Sequence, residues 1–384
     1  MLWFWPLVLP AILLAAASFA GERKRFRYIR EQLAHPPEGP FPPATVIVPV
    51  KGEDEGLAEN LTTLASLDYP DYELIVTARS RADIPAGVVP ERARVVLAGD
   101  GDPETGEKIN NLLAAIAAAR PESEILAFAD SDGRVRPGWL RALVAALRQP
   151  GAGAATGYRW HIPARPGFWA LLRSGWNAVI AGGFGPGRNR FAWGGAMALH
   201  RETFDKARVP EFWRGAISDD YGLTAAIGRA GLGIAFAPGA MVASRDHTGA
   251  KEFLGWITRQ MIITRIYNRR LWLLAFIAHC LYCAAMIACL SAGLSGAAAG
   301  WWALAWILGA GIWKGRNRAA LARRLFPEDA LWFRRHGWIY AWWTPLITWV
   351  WLYGLLASAL TDSVEWRGYR YRLKRPTVPP LPPA

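Results

Sequence analysis

Long apolar runs alternate along this chain with shorter runs of mixed character. Leu2–Ala20 is almost continuously apolar and close to the ~20 residues that a bilayer-spanning helix needs. Three more such stretches follow later: Leu271–Ser291, Ala297–Trp313 and Trp338–Leu360, the last interrupted by Pro345. Between them the pattern changes. "ATVIVPV" reads as a buried strand, and "KGEDEGLAENLTTLASLDYP" as a loop and a helix with Leu57, Leu61, Leu64 and Leu67 on one face. "YELIVTA" and "RARVVLAG" are the next strands, Lys108–Ala119 is a helix, and Ile125–Ala129 is a further strand. Strands alternating with helices predict an α/β domain on a mostly parallel sheet.

Further on, "FAWGGAMAL" reads as a strand carrying the pair Gly194 and Gly195, which permits close backbone approach to a ligand or forms a bulge. Phe168, Trp169, Leu171, Leu172, Trp176 and Val179 form an apolar helical surface. It is either an ordinary packed helix or a segment dipping into the membrane interface. The pattern divides the chain into an N-terminal transmembrane anchor (1–21), a basic and proline-rich linker (22–43), an α/β domain (44–268), a membrane region of two or three helices (269–361) and a basic tail (362–384).

Charge adds orientation. The 384 residues carry a formal net charge of +13, are 52% hydrophobic, and include 21 tryptophans. The tryptophans crowd between Trp301 and Trp351, as in the aromatic belts of membrane interfaces. Basicity beside apolar spans points to anionic lipid and phosphate rather than nucleic acid. A cleavable signal peptide would need a positive n-region, but here Arg23, Lys24, Arg25, Arg27 and Arg30 follow the apolar run. The run therefore reads as a retained anchor, and the positive-inside rule places the following domain in the cytoplasm.

Lys314, Arg316, Arg318, Arg323, Arg324, Arg334 and Arg335 place the next basic loop on the same side. Arg367, Arg370, Arg372, Lys374 and Arg375 make the tail basic too, so one segment should not span; Trp338–Leu360 is the candidate. Cys280, Cys283 and Cys289 share one apolar stretch and read as buried helix residues.

The chemistry centres on Asp130-Ser131-Asp132, directly after the Ile125–Ala129 strand. Ligands of open α/β sheets bind outside the carboxyl ends of the strands. Two carboxylates there suit a hard divalent cation that bridges a nucleotide diphosphate. No glycine-rich dinucleotide fingerprint or P-loop is present, so a metal and side chains would have to hold the phosphates. A second acidic pair, Asp219-Asp220, belongs to another element and can take another role. Its setting, "SDDYGL", also suits helix capping by Ser218 or Asp219. The split points to sugar transfer from a nucleotide donor.

Ordered blocks carry a family resemblance. Pro49, Lys51 and Gly52 form "P-x-KG"; "NLTTLASLDYPDYEL" follows; Lys108 with Asn111-Leu112 forms "K-x-x-NL". Asp130-Ser131-Asp132, then "WGGAM", "SDDYGLTAAIGRAG" and "VEWRGYRYRL" complete the series. The chain resembles inverting family 2-type glycosyltransferases of the GT-A fold, most closely the ceramide glucosyltransferases. Two blocks depart from the family. The first acidic motif is reduced to Asp83 in "TARSRAD", and "TRQMIITRIY" replaces the arginine-tryptophan motif, leaving Arg259, Gln260 and Arg265 as substitutes.

The resemblance implies a GT-A catalytic domain and transfer of a hexose, glucose from UDP-glucose, to a lipid hydroxyl such as that of ceramide. A hopanoid or diacylglycerol acceptor is the nearest alternative; a processive polysaccharide synthase and a non-catalytic lipid-binding relative are the others. It implies Asp220 as general base and a divalent cation, Mg or Mn, on Asp132 and Asp130. Lys51, Asp83, Lys108, Asn111, Asp130, Arg259, Gln260 and Arg265 would contact the nucleotide sugar. Trp193, Gly194, Gly195, Asp219 and Trp366 would face sugar or acceptor. Trp366, Arg367 and Tyr371 otherwise serve a basic interfacial anchor. The implied setting is a multi-pass integral membrane protein, in the inner membrane of a bacterial host, with a UDP-sugar donor, a lipid acceptor and no nucleic acid. The sequence leaves the oligomeric state open.

Overall fold

The computed structural model describes residues 4–187, 191–366 and 369–373. Helix α1 (Phe4–Ala34) opens the chain. The chain divides into two compact units, one α/β and one helical.

The α/β unit comprises Ile29–Ala164 and Pro186–Asp246. Its elements are β1 (Ala44–Pro49), α2 (Leu57–Ala65), β2 (Tyr72–Ala78), β3 (Ala93–Leu97), α3 (Glu107–Ala118), β4 (Ile125–Ala129), α4 (Trp139–Leu147), β5 (Ala152–Thr156) and β6 (Arg159–His161). After a helix of the other unit, α5 (Phe168–Ala181), come β7 (Ala196–His200), α6 (Arg201–Lys206), α7 (Val209–Trp213), α8 (Asp219–Arg229), β8 (Gly233–Phe236) and β9 (Val242–Ser244).

The main sheet has the order β3-β2-β1-β4-β7-β5-β8, while β6 and β9 pair separately in parallel. β7 runs antiparallel to both neighbours; the other pairs are parallel. In register, Ala44 lies opposite both Tyr72 and Ile125. The central strands β1 and β4 are apolar on both faces because both faces are covered, whereas the edge strand β3 is part-exposed. Val46, Val48 and Ala127 face a core with Leu61, Leu64, Trp139 and Leu143 from α2 and α4. Ile47, Leu126 and Phe128 are equally buried, and the Phe128 ring meets Trp213 edge-on at 5.9 Å.

The α/β class and the strands predicted up to Ile125–Ala129 are present as expected. "FAWGGAMAL" needs a correction, because its strand starts only at Ala196. The preceding residues form a tight turn in which the Ala196 N–H donates to Trp193 O at 3.0 Å.

The helical unit takes Met1–Tyr28, Arg165–Gly185 and His247–Leu373. The expected single domain over 44–268 is therefore interleaved: Arg165–Gly185 and the residues from His247 onward group with the apolar helices. Its helices, besides α1 and α5, are α9 (Ala250–Tyr267), α10 (Arg269–Leu294), α11 (Ala298–Leu325), α12 (Ala330–His336), α13 (Ile339–Trp342) and α14 (Thr344–Ala359). A hairpin of β10 (Ser363–Trp366) and β11 (Tyr369–Arg372) follows.

Among the described residues α1 and α10 are long and apolar enough to cross a membrane. The 26 residues of α10 rise about 39 Å, more than a hydrocarbon core of about 30 Å. Trp338–Leu360 is indeed broken. α13 ends at Trp342, and α14, with Pro345 in its first turn, has 16 residues and rises only about 24 Å. α5 is a packed helix: Trp176 stacks on Trp351 at 4.3 Å in a cluster with Leu172, Phe253 and Ile257. Cys283 and Cys289 are buried within α10.

Candidate active site

The strand order reverses at β1, since β2 and β3 lie on one side and β4 on the other. Such a switch point opens a crevice at the carboxyl ends of the strands. β4 is buried along its whole length, so its first polar side chain, Asp130, emerges at that edge. The loop that follows is fixed on both sides. Ser131 Oγ donates to Asp54 Oδ2 at 2.6 Å, and Asn60 Nδ2 donates to Ser131 O at 3.0 Å.

Two cations hold the carboxylates. Lys108 of α3 places Nζ 2.8 Å from Asp130 Oδ1 and 3.0 Å from Asp219 Oδ2. Arg159 of β6 spans the other side. Its Nη2 lies 3.1 Å from Asp130 Oδ2 and 3.0 Å from Asp132 Oδ1, and its Nη1 donates to Asp132 Oδ2 at 3.1 Å. The guanidinium also lies 4.8 Å from the centre of the Trp193 ring, which meets Tyr158 edge-on.

The glycine turn explains itself by proximity. A Cβ on Gly194 would fall 2.4 Å from Asp219 Oδ2 and 2.8 Å from Lys108 Nζ; one on Gly195 would fall 2.6 Å from Asp130 Oδ2. Only glycine lets the backbone pass this close to the charged cluster.

These contacts decide the protonation states. Burial pushes the Asp130 carboxyl up, but Lys108 and Arg159 outweigh it and hold it below its ordinary value. Burial raises Asp132; Arg159 opposes, while Asp130, Asp246 and Asp54 add to the rise. Burial likewise raises Asp219, to about 6, against the pull of Lys108 and with help from Asp220 and Asp130. For Lys108, burial works against the charge, but Asp130 and Asp219 prevail and it stays protonated.

The Asp219 shift has a sign that can be measured. A folded-state value raised from 3.8 to about 6 stabilises the fold at low pH, and that contribution is lost as pH rises through about 6. Without divalent cation or nucleotide, Asp219→Asn should gain thermal midpoint on the wild type as pH rises across this window. Parallel midpoint-against-pH curves for the two proteins would contradict the assignment.

Ser218 is the N-cap of α8, its Oγ accepting from Tyr221 N–H at 3.3 Å. Asp220 sits one residue into the helix and is partly exposed, whereas Asp219 is 5% exposed. Asp220 Oδ1 accepts from Tyr221 N–H at 2.7 Å and from Ser218 Oγ. Both bonds fall on Oδ1, which orients the carboxylate.

The other candidates separate. Lys51, just after β1, donates to Glu107 Oε2 at 2.6 Å. Asn111 is buried in α3, and its side-chain oxygen has no hydrogen-bond partner among the described residues. Asp83 serves as a local cap, its Oδ2 accepting from Ser80 N–H at 3.0 Å and Ser80 Oγ at 2.7 Å. Arg259, Gln260 and Arg265 lie on α9 of the helical unit, where Arg265 donates to Thr361 O at 2.9 Å and pairs with Asp362. Trp366 ends β10 with its side chain outside the described residues, and Arg367 lies outside them altogether. Sequence reading missed Arg159 and the flanking carboxylate Asp54.

No group of three or more metal-ligating side chains gathers among the described residues. A magnesium-type ion, however, takes one or two carboxylates and completes its shell with phosphate and water. Asp130 and Asp132 supply such a pair, and burial together with the charges of Asp130, Asp246 and Asp54 raises the Asp132 carboxyl. That donor set fits a divalent cation.

A switch-point crevice with paired carboxylates, a buried lysine beside them and a second acidic pair at a helix start defines a nucleotide-sugar glycosyltransferase of the GT-A type. The chain belongs to glycosyl transferase family 21, whose model matches residues 3–378. No curated protein matches it. Among solved structures it is similar to a mannosyltransferase from Pyrobaculum calidifontis in complex with GDP-Man and Mn2+, at 18% identity over 92% of this chain and 98% of that one, with a TM-score of 0.46. It is also similar to glucosyl-3-phosphoglycerate synthase from Mycobacterium tuberculosis, at 18% identity over 63% of this chain and 83% of that one, with a TM-score of 0.38.

Proposed function

We propose that this protein is a membrane-bound inverting hexosyltransferase that moves glucose from UDP-glucose to the hydroxyl of a ceramide-like lipid. The observation that carries the reading is the charged cluster at the end of β4, where Lys108 joins Asp130 to Asp219 and Arg159 holds Asp132. Family 21 is the ceramide glucosyltransferase family, which favours that acceptor over a hopanoid or diacylglycerol.

The chemistry follows from the residues. The acceptor oxygen attacks the anomeric carbon, the bond from that carbon to the diphosphate breaks with its electrons going to UDP, and the Asp220 carboxylate takes the acceptor proton. Asp132 and Asp130 would hold a divalent cation, which when bound neutralises charge on the leaving diphosphate. Lys108 adds a fixed positive charge beside the same carboxylates. Asp219 holds Lys108 in place.

The membrane setting rests on the outer surface of the helical unit. Leu13 on α1, Leu274 and Ile277 on α10, Trp302 on α11 and Leu356 on α14 are all exposed, a distribution suited to lipid. The basic residues Arg23–Arg30 after the apolar part of α1 favour a cytoplasmic α/β unit. Mass spectrometry of lipid extracts from a host with and without the gene tests the acceptor. A new hexosylceramide is expected; a new glycosylated hopanoid or glycerolipid in its place would overturn the ceramide assignment.

A further inference from the structure

We propose that Arg159 is an internal counter-ion that occupies the Asp130–Asp132 pair until a divalent cation and a nucleoside diphosphate arrive together, and that it then passes to the diphosphate. The inference rests on the glycosyltransferase reading of that pair. The guanidinium contacts both carboxylates, at 3.1 Å and 3.0 Å, and so competes for the oxygens a metal ion requires. Its side chain is 12% exposed, and displacing the guanidinium from both carboxylates there removes paired charge while the group stays largely buried.

A metal ion alone therefore meets resistance, because it displaces a buried cation from two carboxylates and brings no anion in exchange. A nucleoside diphosphate supplies the missing anion, in a geometry that the planar fork of arginine matches. Trp193, whose ring centre lies 4.8 Å away, can keep its contact with the guanidinium while the carboxylates are exchanged. Lys108 is not the exchanging cation, since it is also tied to Asp219 at 3.0 Å. Metal and nucleotide should then raise each other's affinity by the same factor.

The test is Mn2+ binding to the full-length protein in detergent, read by electron paramagnetic resonance of the free ion, with and without UDP. In the wild type, UDP should tighten Mn2+ by a factor within the usual coupling range of about 5–150-fold. Arg159→Gln should bind Mn2+ alone more tightly than the wild type, and the effect of UDP should collapse toward none. Arg159→Lys keeps the charge but cannot span both carboxylates, and should fall between; it decides the matter if thermal unfolding shows that Arg159→Gln does not fold. Wild-type coupling that persists unchanged in the substituted proteins would overturn the role of Arg159 alone. A wild type that binds neither Mn2+ nor UDP would overturn the glycosyltransferase reading, and this one with it.

Discussion

Replacing Asp220 by Asn lowers glycosyl transfer by at least about 10²–10⁴-fold, the usual contribution of a general base, and leaves donor binding near wild type. The substitution is clean because the local structure tolerates it. Asp220 Oδ1 accepts from Tyr221 N–H at 2.7 Å, and an Asn side-chain oxygen can accept the same bond. Helix α8 keeps its start through Ser218, so the lost property is the proton acceptor. UDP binding by calorimetry and product formation by mass spectrometry separate the two effects. Turnover close to wild type in Asp220→Asn would remove Asp220 as the base.

Replacing Lys108 by Met gives the second large effect. Lys108 Nζ is 3.0 Å from Asp219 and 2.8 Å from Asp130, and the side chain is only 13% exposed. Met keeps most of the stem's packing and removes the charge. Breaking a buried ion pair from one side costs about 3–5 kcal/mol, because the partner charge stays buried. Asp219 can limit that loss by taking up a proton, and its carboxyl already titrates near about 6 with Lys108 present. The loss should therefore be small at low pH and grow as pH rises. Asp130 keeps Arg159 and suffers less. Adding Asp219→Asn to Lys108→Met removes the orphaned charge and should restore much of the stability, although activity stays low. Chemical denaturation of the two single variants and the double variant measures this coupling directly. Additive losses would contradict the pairing.

Much of this fold was legible because burial writes itself into sequence. β4 is a continuous apolar run and β1 and β2 are nearly so, as strands covered on both faces must be. Asp130 and Asp132 were legible because a polar side chain directly after such a run has to emerge at the sheet edge. The strand expected to hold the glycine pair starts five residues later than its apolar pattern suggests, at Ala196 instead of Phe191. Gly194 and Gly195 sit beside apolar residues that prolong the strand pattern, and only the approach to Asp219 and Asp130 shows why a turn stands there.

Arg159 was illegible for a different reason. It lies on a three-residue strand with no motif, and the fold alone carries it to Asp132, which is 27 residues away in sequence. Asp83, the carboxylate at the family's expected position, is legible in the sequence, but its bonds to Ser80 depend on a local turn that no motif marks. The helical unit was foreseen in outline, since apolar length is visible in sequence. The grouping of α5 and α9 with it was not, because it depends on packing of Trp176 against Trp351 and Trp256.

The most direct measurement is UDP release from UDP-glucose by the purified full-length protein in lipid, with and without divalent cation. Asp132→Asn and Asp220→Asn serve as controls. Cation-dependent release is expected, matched by a new glycolipid and lost in both variants while the thermal midpoint stays near that of the wild type. Release that persists in folded Asp132→Asn and Asp220→Asn proteins, or a folded wild type that neither binds nor turns over UDP-glucose, would contradict it.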